Sequence, residues 1–218
     1  TTRTKESYEQ ILTAFGSREA DVLVGTQMIV KGHDFPAVTL VGILAADLSL
    51  YASDYQCSER TFQLLTQAAG RAGRDERQGD VVIQTYSPKH YCIEAAAAQD
   101  YEGFCKRELE YRKLLHYPPV CVMMTLMVGA EDEILAETAM GRASRLILTW
   151  EKNAGENGQL QVIGPVNAPV YKLNDIFRKI IYMKSENYAI LIQIRNRTEE
   201  LLKQMDEAGK VNVQFDFC

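Results

Sequence analysis

The chain has 218 residues, 46% of them hydrophobic, which is enough apolar sequence for one large domain or two small ones. Its net charge of −5 lies entirely within residues 1–104, so any nucleic-acid contact must be local rather than made by a basic coat. The sequence has no apolar run long enough for a membrane span and does not start like a targeting peptide. Its five cysteines are scattered and form no CxxC pair, which argues against disulfides or a metal site and favours the cytoplasm.

The first half of the chain predicts an α/β parallel sheet, because short apolar strands alternate with helical segments. The near-continuous hydrophobicity of residues 38–45 is typical of a parallel strand that is covered on both faces. In chain order we predict a helix over 5–15 ended by Gly16, a buried strand over 21–26, a helical turn over 27–31, a strand over 38–45, a loop over 47–55, an amphipathic helix over 58–67 and a strand over 79–85.

Residues 90–115 are predicted to be mostly helical, with a break near Gly103. The sequence Tyr117-Pro118-Pro119 would stop that helix and mark a domain boundary.

The remainder predicts a β-α-β-β-α-β order, which indicates a ferredoxin-like or similar α+β domain. Residues 188–194 could also form a strand, but we favour helix because no turn separates them from the periodic residues 198–205. The predicted elements are a strand over 120–128, a helix over 131–152 with Ile134, Ala139, Leu146 and Trp150 inward, strands over 160–163 and 177–183, a helix capped by Ser185 through 208, and a strand over 210–217.

The most informative stretch is the run Gln67-Ala-Ala-Gly70-Arg71-Ala-Gly73-Arg74 at the end of the amphipathic helix. Phe62, Leu65 and Ala69 would form the buried stripe of that helix. Glycines permit close approach of the backbone to a ligand, and arginine suits two-pronged contact with phosphate. The alternative is a glycine-rich turn with two solvated arginines.

A second run, residues 25–35, follows the predicted buried strand over 21–26. Open α/β sheets place ligands at the carboxyl ends of their strands. Thr26 offers a hydroxyl and an N–H to a phosphate, and Asp34 offers acceptors to a ribose hydroxyl. A simple strand-to-helix turn remains the alternative for this segment.

Together these runs resemble motifs V and VI of superfamily 2 helicases. The sequence between them is similar to that of the family of primosomal N′ (PriA-type) replication-restart helicases. The residues that carry this similarity are Asp47, Leu50, Asp54, Tyr55 and Glu59-Arg60. Glu108-Leu109, Arg112 and Tyr117-Pro118-Pro119 resemble the entry to that family's C-terminal domain.

The resemblance implies a fold of three segments. Residues 1–103 would be a partial, N-terminally truncated RecA-like second lobe with a parallel sheet. Residues 104–119 would be a linker helix with the Tyr-Pro-Pro boundary, and residues 120–218 would be the C-terminal α+β domain.

For function, the resemblance implies an ATP-dependent 3′-to-5′ DNA helicase that restarts stalled replication forks by primosome assembly. Its nucleotide side would include Gln67, Arg71 and Arg74, with Arg74 as the arginine finger, and also Gly32 and Asp34. Its DNA side would be Gly25, Thr26 and Lys31. One departure from the family pattern is Ala68, where valine is common; it leaves the ligand-facing residues unchanged.

The same resemblance implies ATP with Mg²⁺ as the cofactor, shared with a first lobe that this sequence lacks. No phosphate loop or DExx pair is present, so we expect the chain alone to be inactive. Zinc is expected only on an upstream insertion of the family. Expected partners are forked and single-stranded DNA, single-stranded-DNA-binding protein and primosome proteins, with no membrane contact and a monomeric state.

Two other functions stay open: another superfamily 2 translocase of recombination or repair, and a non-catalytic DNA-docking or partner-docking module. The remaining residues of interest are predicted to be structural or solvated. Met123, Met124 and Met127 are predicted to lie in the core, and His33, His90 and His116 to be structural or solvated. The basic pairs Arg178-Lys179 and Arg195/Arg197 are predicted to be solvated, as is Tyr171-Lys172-Leu173, for which base stacking is the minor alternative.

Overall fold

The computed structural model describes residues 5–30, 35, 37–51, 54–72, 79–154, 160–205 and 209–218. The chain divides into two compact units, Thr1–Glu108 and Leu109–Cys218. Within the described ranges, no helix has the length and apolar character that crossing a membrane would require.

The first unit has the predicted α/β character. Strands β1 and β2 pair in parallel, with Leu40 opposite Asp80 and Ile43 opposite Ile83. Its elements are α1 (Lys5–Gly16), a 3₁₀ turn (Gln27–Val30), β1 (Leu40–Ile43), α2 (Asp47–Leu50), α3 (Cys57–Ala69), β2 (Asp80–Ile83), α4 (Tyr91–Ala98) and the start of α5 (Tyr101–Leu115).

The strand predicted over residues 21–26 is not formed. Val22 and Val24 are 74% and 84% exposed, and among the residues with described placement β1 and β2 pair only with each other. An apolar run becomes a strand only when a neighbouring strand takes up its N–H and C=O groups. The prediction that the sheet is covered on both faces is also wrong for this structure, because Leu40 and Val82 are 62% and 58% exposed.

Two boundaries in this unit differ from prediction for local reasons. The predicted loop after β1 contains the one-turn helix α2, which brings Leu50 into the core beside Phe62. The break between α4 and α5 falls at Gln99, which has a positive φ of 55°, and not at Gly103. Gly103 lies in the first turn of α5 and donates its N–H to the Asp100 carboxylate at 2.8 Å, so the glycine makes room for a cap.

The core of the first unit forms where α3 packs against α4 and α5. The rings of Phe62 and Phe104 stack with centroids 4.2 Å apart, and Ile93 joins them. The inward stripe of α3 was predicted correctly at Phe62 and Leu65, but it continues through Ala68 and not Ala69.

The second unit has the predicted β-α-β-β-α-β order. Its antiparallel sheet has the strand order β4-β5-β3-β6, and residues 188–194 are helical as predicted. The elements are β3 (Val122–Ala130), α6 (Glu133–Ala154), β4 (Gln161–Leu173), β5 (Ile176–Ser185), α7 (Tyr188–Met205) and β6 (Asn212–Phe217).

Three details of this unit depart from the pattern. Strand β4 continues beyond Gly164-Pro165, because an edge strand tolerates proline and the register shift after Ile163 accommodates Gly164 at φ 112°. Helix α7 is capped by Asn187, whose Oδ1 accepts the Ala189 N–H at 3.0 Å, and not by Ser185. Ile134 is 75% exposed, since it lies two positions before Ala136, where the buried stripe of α6 begins.

Helix α6 offers a direct test of this packing. We expect Ile147→Ala to lower the free energy of unfolding by about 2–5 kcal/mol, because Ile147 is fully buried in the core of the second unit. The matched change Ile134→Ala should cost less than about 0.5 kcal/mol, since that side chain is exposed. Urea unfolding followed by the fluorescence of Trp150, the chain's one tryptophan, reports on this unit. Equal losses for the two variants would contradict the assigned helix face.

Candidate functional site

The arginine run begins as the last turn of α3. Gly70 donates its N–H to the Thr66 carbonyl at 3.0 Å, and Arg71 donates its N–H to the Ala68 carbonyl at 3.0 Å. Burial of the opposite stripe of α3 leaves Gln67 exposed. The run therefore starts on a helix whose rotation is fixed by the core, while Gly73 and Arg74 lie outside the described residues.

Arg71 is half-buried, and its Nε is shielded from solvent. A guanidinium that is partly removed from water on a fixed helix end is preorganised for a charged or planar partner. Arg74, the predicted finger, lies outside the described residues, as do Lys31, Gly32 and Asp34. Of the predicted nucleotide side, the structure thus places Gln67 and Arg71.

The predicted DNA side begins at Gly25 and Thr26, and both residues are exposed. The Thr26 carbonyl accepts the Ile29 N–H at 3.1 Å, which starts the 3₁₀ turn. A Cβ at Gly25 would lie 2.9 Å from the Ile29 side chain, so glycine is required for this tight approach. The 3₁₀ turn packs against α3, and the two predicted runs therefore meet in one unit.

Asp47 organises the carboxyl ends of β1 and β2, a role that the sequence analysis missed. Its carboxylate accepts the Thr85 hydroxyl at 2.8 Å and the Tyr86 N–H at 2.9 Å. The Tyr86 N–H bond is the main cause that lowers the pKa of Asp47, against the opposing effect of desolvation. An acidic residue just after one apolar strand and a threonine just after the next were the only sequence signals.

The segment that leads into α3 is fixed by a second acidic residue. The Asp54 carboxylate accepts the Gln56 N–H at 2.9 Å and forms an ion pair with Arg60. The sequence between the two predicted runs therefore holds the start of α3 in place through local polar contacts.

Tyr117-Pro118-Pro119 is held by two cations of the second unit. Arg112 donates to the Pro118 carbonyl at 3.1 Å. Lys184, only 5% exposed, donates to the Leu115 carbonyl at 3.1 Å and lies 3.5 Å from the centroid of the Tyr117 ring. Burial lowers the pKa of Lys184. The Tyr-Pro-Pro segment is thus held by polar contacts within the second unit, which begins at Leu109.

Two of the predicted structural histidines have local contacts. His90 caps α4, with Nδ1 accepting the Cys92 N–H at 3.3 Å, and burial lowers its pKa. His116 lies 3.6 Å from Glu186, and His33 is outside the described residues. Across the described ranges, His, Cys, Asp and Glu form no group suited to a metal ion, and the five cysteines are free thiols.

The other residues predicted to be structural or solvated have contacts within the second unit. Met123 and Met124 are buried, and Met127 is half-buried. Tyr171 donates its hydroxyl to Glu133, which raises the pKa of Tyr171 to about 12. Arg178 donates to the Val170 carbonyl at 3.0 Å. The other cations of this group form ion pairs: Lys172 with Asp175, Lys179 with Glu137, Arg195 with Glu199 and Arg197 with Glu200.

Comparison with known families assigns both halves of the chain. Residues 1–76 match the helicase conserved C-terminal domain, and residues 113–217 match the primosomal protein N C-terminal domain.

Similar proteins carry the name replication restart protein PriA. The one from Bacillus subtilis is 38% identical over 99% of this chain and 26% of its own length. Those from Synechocystis and Chlamydia trachomatis are 36% and 38% identical, over 92% and 99% of this chain and 24% and 28% of their own lengths. The chain therefore spans about a quarter of the relatives that it matches.

The Asp47 contacts predict a pH-dependent stability. Because the pKa of this carboxylate is lowered in the folded state, its stabilising contribution is present above the unfolded pKa of about 3.9 and is lost as the pH falls through the folded pKa. We expect Asp47→Asn to unfold at lower urea concentration than the parent near neutral pH, and the difference to shrink as the pH falls below about 3.9.

Far-UV circular dichroism during urea unfolding measures both midpoints. Asp80→Asn is the control, because Asp80 is an exposed carboxylate in the same unit. A difference between parent and Asp47→Asn that stayed constant with pH would remove the charged carboxylate as its cause.

Proposed function

We propose that this chain supplies the second motor lobe and the C-terminal domain of an ATP-dependent 3′-to-5′ DNA helicase, which restarts stalled forks by primosome assembly. The basis is that the chain belongs to the PriA family of replication restart proteins, whose C-terminal part it matches. The observation that carries this proposal is the placement of Gln67 and Arg71 at the end of α3, in the part of the chain that matches the helicase domain. Forks and single-stranded DNA would be its substrates.

The polar groups at the end of α3 fit the polyphosphate of a nucleotide. Gln67 presents an exposed amide, and Arg71 contributes a half-buried guanidinium, the group best suited to phosphate oxygens. Gly32, Asp34 and Arg74 complete the proposed set, with Arg74 reaching the γ-phosphate as the finger. In this proposal Mg²⁺ is shared with the first lobe of the complete motor.

ATP supplies the transferable γ-phosphoryl group when bound, and Mg²⁺ neutralises its charge. Arg71 and Arg74 stabilise negative charge on the phosphates and hold this lobe against the other. Loss of the γ-phosphate removes the contact that the two arginines make with it, and the lobes then open. Gly25, Thr26 and Lys31 grip the DNA backbone, a contact that carries no sequence information. Hydrolysis is thereby converted into movement along one strand.

We assign the wider setting by the same family membership. Single-stranded-DNA-binding protein and primosome proteins are the proposed partners, the cytoplasm is the proposed compartment, and a monomer is the proposed state. Another superfamily 2 translocase is a weaker candidate, because the β-α-β-β-α-β unit and the match over residues 113–217 lie outside the motor lobe.

The finger assignment is tested in the complete protein. We expect Arg74→Ala to reduce DNA-stimulated ATP hydrolysis by roughly 10³–10⁵-fold while fork binding stays close to that of the parent, because the charge that it stabilises develops only in the transition state. Arg74→Lys should not restore activity, since lysine lacks the planar fork.

Arg107→Ala is the matched control, as Arg107 is exposed and forms a surface pair with Glu94 at 3.3 Å. Hydrolysis by Arg74→Ala at the rate of Arg107→Ala would refute the assigned role.

A further expectation concerns the 218-residue chain alone. With half of the nucleotide site, it should hydrolyse no ATP above background, with or without single-stranded DNA, in a phosphate-release assay. Robust DNA-stimulated hydrolysis that Arg74→Ala abolishes would mean that a complete site forms without the other lobe.

A further inference from the structure

Two tyrosines are solvent-exposed near the carboxyl ends of the parallel strands β1 and β2. Tyr86 follows β2 and is 93% exposed, and Tyr51 follows α2 and is 70% exposed. The Tyr51 hydroxyl lies 2.9 Å from the Ser87 hydroxyl, next in sequence to Tyr86. Single exposed apolar residues are ordinary, but two aromatic side chains tied to the same loop are a feature to explain.

The backbone that carries Tyr86 is held firmly although its ring is not. The buried Asp47 carboxylate accepts the Tyr86 N–H at 2.9 Å and the Thr85 hydroxyl at 2.8 Å, and Thr85 Oγ1 accepts the Ser87 N–H at 3.0 Å. A side chain presented by a fixed backbone loses less conformational freedom on binding. The loop is thus preorganised around a ring that has almost no contact with its own protein.

The position of this loop is one where parallel sheets bind ligands. Because β1 and β2 are parallel, their carboxyl ends meet at one edge of the sheet, and α/β proteins place ligands outside that edge. Asp47 and Tyr86 each follow one of the two strands within a few residues.

The chemistry of the loop suits the face of a base better than a phosphate. The Asp47 carboxylate that holds the loop is buried and hydrogen-bonded, and Arg60, on the helix α3 against which α2 packs, is paired with Asp54. The large exposed side chains that follow β1 and β2 are apolar or aromatic, namely Leu44, Leu48, Tyr51 and Tyr86, and Lys89 is exposed as well. Stacking on an aromatic ring requires only the π-face that every base has.

We propose that Tyr86, with Tyr51 held beside the adjacent Ser87, is a stacking surface for unpaired bases of single-stranded DNA. This inference rests on the proposed motor function, which supplies the class of ligand. It adds a base contact to the backbone contacts assigned to Gly25 and Thr26.

The test separates bases from phosphates. Fluorescence anisotropy would measure binding of the 218-residue chain to an oligothymidylate and to an abasic deoxyribose-phosphate strand of equal length. We expect Tyr86→Ala to weaken oligothymidylate binding roughly 5- to 140-fold for each base stacked and to leave abasic binding unchanged. Tyr86→Phe should bind as the parent does, since the ring is retained.

Tyr111→Ala is the control, because Tyr111 is also an exposed tyrosine, at 54%, on α5. A parent chain that binds both strands equally, or binds neither, would overturn the stacking surface. So would a Tyr86→Ala variant that keeps the parent's preference for bases. The Arg74 variants test the motor function independently of the stacking surface.

The complete protein provides the remaining comparison. Tyr86→Ala should raise the concentration of oligothymidylate needed for half-maximal ATP hydrolysis, with the maximal rate retained. A lower maximal rate with unchanged DNA affinity would place Tyr86 in a contact within the protein and would overturn its role toward DNA.

Discussion

The hydrogen-bonded carboxylate of Asp47 is the interaction on which the first unit's functional edge depends. A buried charge is tolerated only when its hydrogen-bonding capacity is filled, and Asp47 fills it with groups 38 and 39 residues away, just beyond β2. The ends of β1 and β2 are therefore tied together. Helix α2, which begins at Asp47, is positioned by the same contact, and α2 packs on α3. The carboxylate thus sets both the Tyr86 loop and the support of the arginine run.

The packing of helix α3 against the core determines which way Gln67 and the start of the arginine run point. Phe62, Leu65 and Ala68 are buried on one side, so Gln67 is forced to the opposite side. The N–H groups of Gly70 and Arg71 still bond to α3 carbonyls, which carries that order to the first arginine. Arg74 was predicted to project from the same helix end; its placement lies outside the described residues, so the finger assignment depends on the kinetic test.

Much of this fold could be predicted because its signals are local. The alternation along β5 and the uninterrupted period through α7 predicted both elements, and the second unit has the predicted β-α-β-β-α-β order along the chain. The errors arose where long-range partners decide. Residues 21–26 have strand composition but no pairing strand in the part of the chain that the structure describes, and β4 passes Pro165 because it lies at an edge. Gly103 makes room for a cap at a position where glycine suggested a break. Asp47 was noted only for family resemblance, since its partners are close to it only after folding.

The two proposed modes of DNA contact share a physical property. A threonine hydroxyl and a backbone N–H bind a phosphate without regard to the base, and an aromatic ring stacks on any base. A fork can stall at any sequence, so the proposed restart motor would gain from contacts that do not depend on the base. Phosphate contacts alone weaken steeply with salt, whereas stacking on Tyr86 adds a contact that involves no charge. A strand held through both would keep its grip when one of them is released, which is the condition for stepping along DNA without letting go.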